Sequence, residues 1–196
     1  MPKMPIILAS QSPRRKLILK QMGLKFRVIP SKVKEHMDLT LSPDSFVMHW
    51  ANEKAKDISR SYPNSLIISA DTVVVIGDKI LGKPKNKRDS KRMLKELSGR
   101  THTVITGFQL ILRNNKINYC SSEKTYVTFK TLSLSDIDFY INNYNTLDKA
   151  GSYGIQDWFS TQVIKIEGCF FNVMGLPVSR LYDRYKKIEK ELKSND

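Results

Sequence analysis

Short apolar runs alternate with helical stripes in the first half of the chain, and paired apolar runs dominate the second. Ile6-Ile7-Leu8-Ala9 reads as a short buried strand that ends in the polar turn Ser10-Gln11-Ser12. Ser12-Pro13 supplies a hydroxyl N-cap followed by proline at the first helical position. The spacing beyond it predicts a helix with Leu17, Ile18 and Met22 inward and Gly23 as its stop. Phe26 to Pro30 reads as a second short strand, and Ser31 to Leu41 as a polar loop holding Glu35 and Asp38. Ser42-Pro43 repeats the helix-start signal, and Phe46, Val47, Trp50, Ala51, Ala55 and Ile58 then fall on one stripe. Lys54 lies near the middle of that stripe, where an ammonium must either snorkel to an edge or meet an anion.

Ser65 to Ile76 is the clearest strand, and Asp71 interrupts its apolar run. A carboxylate there is costly unless it is paired, binds metal or faces a cleft. Gly77-Asp78 predicts a hairpin into Ile80-Leu81, ended by Gly82-Lys83-Pro84, which would bring Lys83 toward Asp71. Arg88 to Leu97 has helical periodicity, His102 to Leu112 and Ile117 to Lys130 read as a long hairpin, and Ser135 with Asp138 has capping-box spacing for a helix through Tyr140, Ile141 and Tyr144. A glycine-rich loop, Lys149 to Gln156, precedes a predicted final hairpin of Val163 to Ile166 and Cys169 to Val173, and a helix runs from Val178 to about Leu192. The mixture points to an α/β protein with a mixed, twisted sheet flanked by helices.

The 196 residues suit a single domain, 1–196, with one core or two associated lobes. No apolar run is long enough to span a bilayer and no export signal is visible, so a cytoplasmic protein without membrane contact is expected. Cys120 and Cys169 lack metal spacing and read as buried thiols, and His36, His49 and His102 are scattered. The net charge of +14 attracts polyanions, although no zinc finger, RRM signature or Arg-rich tail supports nucleic acid as a partner.

The chemistry concentrates first at Ser10 to Arg15. A strand, a short polar turn and a helix N-terminus form a general phosphate cradle, and Arg14 and Arg15 add two guanidinium groups where helix polarity alone disfavours cations. An anion is expected to offset them. Neither a P-loop with GK[ST] nor GxGxxG is present.

Leu8-Ala9-Ser10 with Ser12-Pro13-Arg14-Arg15, then Ala70-Asp71-Thr72, Gly82-Lys83-Pro84, Leu97-Ser98-Gly99, Lys149-Ala150-Gly151 through Gln156, and Gly175-Leu176-Pro177 together resemble the Maf family. The resemblance extends from Ile6 to about Tyr182 and implies two lobes around a deep cleft, as in Maf and ITPase-like folds. It implies hydrolysis of nucleoside triphosphates to the monophosphate and pyrophosphate, with Tyr153-Gly154-Ile155-Gln156 resembling the branch that prefers dTTP and UTP. Asp71 would then be the proton acceptor, with Lys54 and Lys83 as catalytic cations, and Ser10, Arg14 and Arg15 would hold phosphate. Thr72 and Gln156 would meet the base, and Glu35 and Asp71 would share a divalent cation, Mg²⁺ or Mn²⁺ in its place. A homodimer is a further implication. Asp157-Trp158 and Gly168-Cys169-Phe170-Phe171 depart from the family pattern, and the first is expected to reshape either the base pocket or the cleft rim. Two other readings stay open: a pyrophosphatase for methylated or non-canonical purine nucleotides, and a nucleotide- or nucleic-acid-binding regulator of cell division.

Overall fold

A computed structural model describes residues 4–36 and 40–194, so Asp38 lies outside the described residues. In chain order the elements are β1 (Ile6–Leu8), α1 (Pro13–Gln21), β2 (Arg27–Val28), α2 (Pro43–Ser61), β3 (Leu66–Ile76), β4 (Lys79–Leu81), α3 (Lys87–Leu97), β5 (Thr101–Leu112) and β6 (Ile117–Phe129). They continue with α4 (Leu134–Asn143), 3-10 turns at Ala150–Ser152 and Trp158–Gln162, β7 (Val163–Glu167), the one-turn α5 (Phe170–Val173) and α6 (Val178–Ser194). The strands pair in the order β2-β1-β3-β5-β6-β7, with β4 paired to β3, giving a seven-stranded mixed sheet. The expected α/β class is therefore observed. The chain forms two compact units: Met1–Asp71 with Thr106–Ser122 and Gly175–Asp196, and Thr72–Ile105 with Glu123–Met174.

In the first unit β1 is the middle of three parallel strands, pairing Ile7 with Arg27 on one side and with Ile67 on the other. Leu8 stands opposite Ile68, so Ser10 and Asp71 both lie just beyond the carboxyl end of the β1–β3 ladder, Asp71 within β3 itself, which runs on to Ile76. Ligands of open α/β sheets bind at that end. The Ser12 hydroxyl caps α1 as predicted, accepting from Arg15 N, and Pro13 occupies the first turn. The helix ends in a Schellman arrangement, Gly23 N to Lys20 O at 2.9 Å and Leu24 N to Leu19 O at 3.2 Å, with Gly23 at φ +71°. Its buried face differs from the expectation: Ile18 and Leu19 are fully buried, while Leu17 is 46% exposed. This helix of nine residues buries two adjacent positions rather than a full stripe.

All six apolar residues predicted for the α2 stripe are buried, and Ser42 caps the helix by accepting from Ser45 N at 3.2 Å. Ala55 and Ile58 of α2 join Ile7, Ala9, Ile67 and Ile111 in one apolar cluster. The helix is seated by Gly107 of β5, where an added Cβ would lie 2.5 Å from the Val47 carbonyl carbon and 2.6 Å from its oxygen. Only glycine permits that approach.

In the second unit the predicted hairpin forms, with Ile76 opposite Lys79 and Val74 opposite Leu81. Helix α3 packs on α4 and on the turn at Ala150–Ser152. The cap of α4 is Ser133, not Ser135: its Oγ accepts from Asp136 N at 3.0 Å and donates to the Asp136 carboxylate at 2.6 Å. The Ser-x-x-Asp spacing recurs at both serines, and the upstream one wins because it leaves Ile137, Tyr140 and Ile141 buried. Cys169 to Val173 is not a strand. The Thr125 hydroxyl accepts from Cys169 N at 3.1 Å, and the Asn172 amide donates to Val104 O at 3.1 Å and to Thr125 Oγ1 at 3.0 Å, curling the segment into a helical turn. The thiols are free, and the expectation of burial fails at Cys120, which is exposed on β6 with its Sγ 3.7 Å from Met48 O, while Cys169 is half-buried.

Candidate active site

The carboxyl end of β1 and the middle of β3 gather a set of charged side chains in the first unit. Ser10 is buried, and its Oγ accepts from Ser12 N and from Arg15 Nη1, each at 3.2 Å. Arg15 Nε donates to Gly175 O at 2.8 Å, so the guanidinium is held at two of its edges. Burial pulls the Arg15 guanidinium below its ordinary value; Asp71 opposes that, Arg14 adds to it, and Glu35 opposes it. Arg15 therefore stands in the field of both acids as well as of its neighbouring arginine, and a guanidinium keeps its proton under these conditions.

Lys54 settles the alternative that the helical wheel leaves open. Its Nζ is 2.7 Å from Asp71 Oδ1 and 2.8 Å from Glu35 Oε1, a single ammonium between two carboxylates. The Lys54 and Asp71 side chains are 10% and 9% exposed, whereas Glu35 is 42% exposed. Burial is the largest influence on Asp71 and raises its carboxyl above the ordinary range; Glu35 adds to the rise, and Lys54 and Arg15 oppose it. The outcome is a carboxylate destabilised by desolvation yet held at a defined position by a cation.

Two tethers that periodicity does not announce keep this geometry. Ser69, two residues before Asp71 on the same face of β3, donates its hydroxyl proton to Ala51 O, one turn before Lys54 on α2. Asp57, one turn after Lys54, accepts from Ser31 Oγ at 2.8 Å and Lys32 N at 3.0 Å, binding the start of the Glu35 loop to the helix. The isolated serines and the aspartate carry no spacing signal. Only their partners, distant in sequence, give them a role.

The second unit holds Thr72, Lys83 and Gln156. Thr72 follows Asp71 on β3 and is half-buried; Lys83 is exposed after β4, in a loop whose Gly82 O accepts from Gly151 N at 3.1 Å. That bond joins the Lys83 loop to the glycine-rich loop. Gln156 is exposed at the tip of the turn between Gly154 and Asp157. Of the histidines, His36 and His49 both meet the Trp50 ring edge-on at 4.9 Å, and His102 is buried with its Nε2 2.8 Å from the Tyr153 hydroxyl.

Among the described residues no group of three or more His, Cys, Asp or Glu side chains could hold a metal ion. Glu35 and Asp71 nevertheless share one small volume, and two carboxylates are a sufficient protein contribution to a Mg²⁺ site in which phosphate oxygens and water complete the sphere.

A buried carboxylate braced by lysine within β3 thus stands beside a helix start that carries two arginines, on an α/β fold. Residues 5–188 match the model of the Maf-like protein family, and the chain belongs to it. It is 44% identical over 191 residues to a protein of Caldicellulosiruptor saccharolyticus named dTTP/UTP pyrophosphatase, covering 95% of this chain and 96% of that one. Proteins of the same name from Bacillus pumilus and Thermosipho melanesiensis are each 46% identical, covering 89% and 92% of this chain and 92% and 96% of theirs.

Proposed function

We propose that the protein hydrolyses nucleoside triphosphates, dTTP and UTP in preference, to the nucleoside monophosphate and pyrophosphate. The observation that carries the reading is Asp71, a buried carboxylate with its proton affinity raised by desolvation and its position fixed by Lys54 at 2.7 Å. A base for water at neutral pH needs both properties. The relatives named dTTP/UTP pyrophosphatase, matched over nearly their whole length, support the substrate class.

In this reading Asp71 takes a proton from a water whose oxygen attacks the α-phosphorus. The bond from that phosphorus to the α,β-bridging oxygen breaks, and pyrophosphate leaves with the electron pair. Ser10, Arg14 and Arg15 bind phosphate oxygens, and Lys54 and Lys83 supply positive charge as it shifts to the leaving group. Glu35 and Asp71 would hold a divalent cation, Mg²⁺ or Mn²⁺, which when bound would neutralise phosphate charge. Gln156, with a donor and an acceptor on one amide, suits the carbonyl and imide edge of uracil or thymine, with Thr72 beside it.

The test is pyrophosphate release across dTTP, UTP, GTP and ITP in Mg²⁺, in EDTA, and with Asp71→Asn. Turnover should favour dTTP and UTP, vanish in EDTA and return with added Mg²⁺. Asp71→Asn should lose at least about 10²-fold in kcat with the fold intact. Turnover retained in Asp71→Asn would remove that residue from the role of base, and preference for ITP or GTP would move the chain to the purine nucleotides.

A further inference from the structure

The aromatic cluster of the second unit converges on one hydroxyl. Tyr140 of α4 is fully buried, and its OH donates to both carboxylate oxygens of Asp157, at 3.1 and 3.0 Å. The same oxygen accepts from Gly154 N at 2.9 Å. Asp157 in turn accepts from Phe159 N at 3.1 Å, and its own N–H donates to Gly154 O at 3.3 Å. Gln156 lies between the two anchored residues, its side chain exposed. Residues 154 and 157 are therefore clamped on one phenol, and the exposed amide projects from the arc between them.

The clamp has little slack. An added Cβ at Gly154 would stand 2.4 Å from Asp157 Oδ2 and 2.8 Å from Lys149 Cε. The Tyr140 ring is stacked on Tyr144 at 5.0 Å and on Trp158 at 5.9 Å, and meets Phe159 edge-on at 4.8 Å, so the phenol cannot turn without disturbing three other rings. Burial, with Asp157 next, pushes the phenol well above its ordinary value, so it remains a proton donor throughout the working pH range.

We propose that Tyr140 and Asp157 are positioning residues for base selection: their hydrogen bond sets the angle at which the Gln156 amide meets the pyrimidine edge. This rests on the reading of Gln156 as the base-contacting side chain. An amide discriminates between bases only if its donor and acceptor are held in register with the ligand's, because a freely pivoting amide can offer either order. The clamp supplies that constraint from behind the turn, and it involves Asp157-Trp158, the dipeptide that departs from the family pattern.

The experiment compares kcat and KM for dTTP and GTP in wild type, Gln156→Ala, Tyr140→Phe, Asp157→Asn and the double variant Gln156→Ala/Asp157→Asn, with thermal midpoints recorded for each. Tyr140→Phe keeps the ring stacking and removes only the hydroxyl, and Asp157→Asn serves if Tyr140→Phe does not fold. Each is expected to lower the dTTP-to-GTP ratio of kcat/KM by about tenfold, chiefly through a higher KM for dTTP. In the double variant Asp157→Asn should cause no further change in the ratio. If Gln156→Ala shifts the ratio but the clamp variants leave it unchanged, or lower both substrates equally, the positioning role is overturned while the reading of Gln156 stands. If Gln156→Ala leaves the ratio unchanged, the base contact lies elsewhere and the proposal falls with it.

Discussion

Replacing Lys54 with methionine keeps much of the side chain's length and removes its charge, which exposes how the acidic pair is balanced. Asp71, 9% exposed, would lose a partner at 2.7 Å, and Glu35, 42% exposed, one at 2.8 Å. Removing one partner of a buried pair costs about 3–5 kcal/mol, and the better-solvated Glu35 contact adds less than about 1 kcal/mol. For a chain of this size the larger figure corresponds to a fall of about 6–20 °C in thermal midpoint. The loss depends on pH with a definite sign. Burial already raises the Asp71 carboxyl above its ordinary value of 3.8, and Lys54 opposes that rise, so the substitution raises it further. Between the ordinary value and the new one, the folded state holds a proton that the unfolded state has released. Stability therefore falls as pH rises through that window and recovers as pH drops. Calorimetry at about pH 5 and about pH 8 should show the larger deficit at the higher pH. Adding Asp71→Asn should restore much of it, since the amide can be buried without a counter-charge. An equal deficit at both pH values, or a double variant no more stable than Lys54→Met, would refute the view that an uncompensated Asp71 carboxylate is the cause.

Two other perturbations probe separate parts of the molecule. Arg15→Lys cannot span both Ser10 Oγ and Gly175 O, and should raise the KM for dTTP about tenfold while costing about 1–2 kcal/mol in thermal stability; an unchanged KM would exclude Arg15 from substrate binding. His102 is pushed by burial from 6.5 down to about 3, so stability should be lost as pH falls through that interval, by about 4–5 kcal/mol over its whole width. His102→Gln should flatten the difference curve in acid denaturation, and an identical acid slope would show that other groups dominate.

Local signals were the legible ones. Ser12-Pro13 and Ser42-Pro43 specify helix starts through bonds within three residues, and Gly77 followed by Asp78 specifies a turn with no help from the rest of the chain. Asp71 and Lys54 were conspicuous because each is a charge in an apolar pattern, although the pattern could not say that they meet across 17 residues of sequence. What escaped depends on partners. Leu17 and Leu19 are equally apolar, and only the seat of α1 decides which is covered. Residues 169–173 have the composition of a strand, but their backbone pairs within one helical turn, Asn172 N with Cys169 O and Met174 N with Phe170 O, while Thr125 Oγ1 accepts from Cys169 N. Ser31, Asp57 and Ser69 are ordinary polar residues until their acceptors and donors are known. The hydroxyl of Tyr140 belongs to a residue whose apolar stripe accounts for its burial without any need for a polar role.

The close seat of α2 on Gly107 has a mechanical consequence for the chemistry. Val47 and Lys54 are two turns apart on the same helix, so a single methyl group introduced under the first would act as a wedge and lift the second away from both acids together. The helix that carries Lys54 thus owes its seat to a side chain that the protein does without.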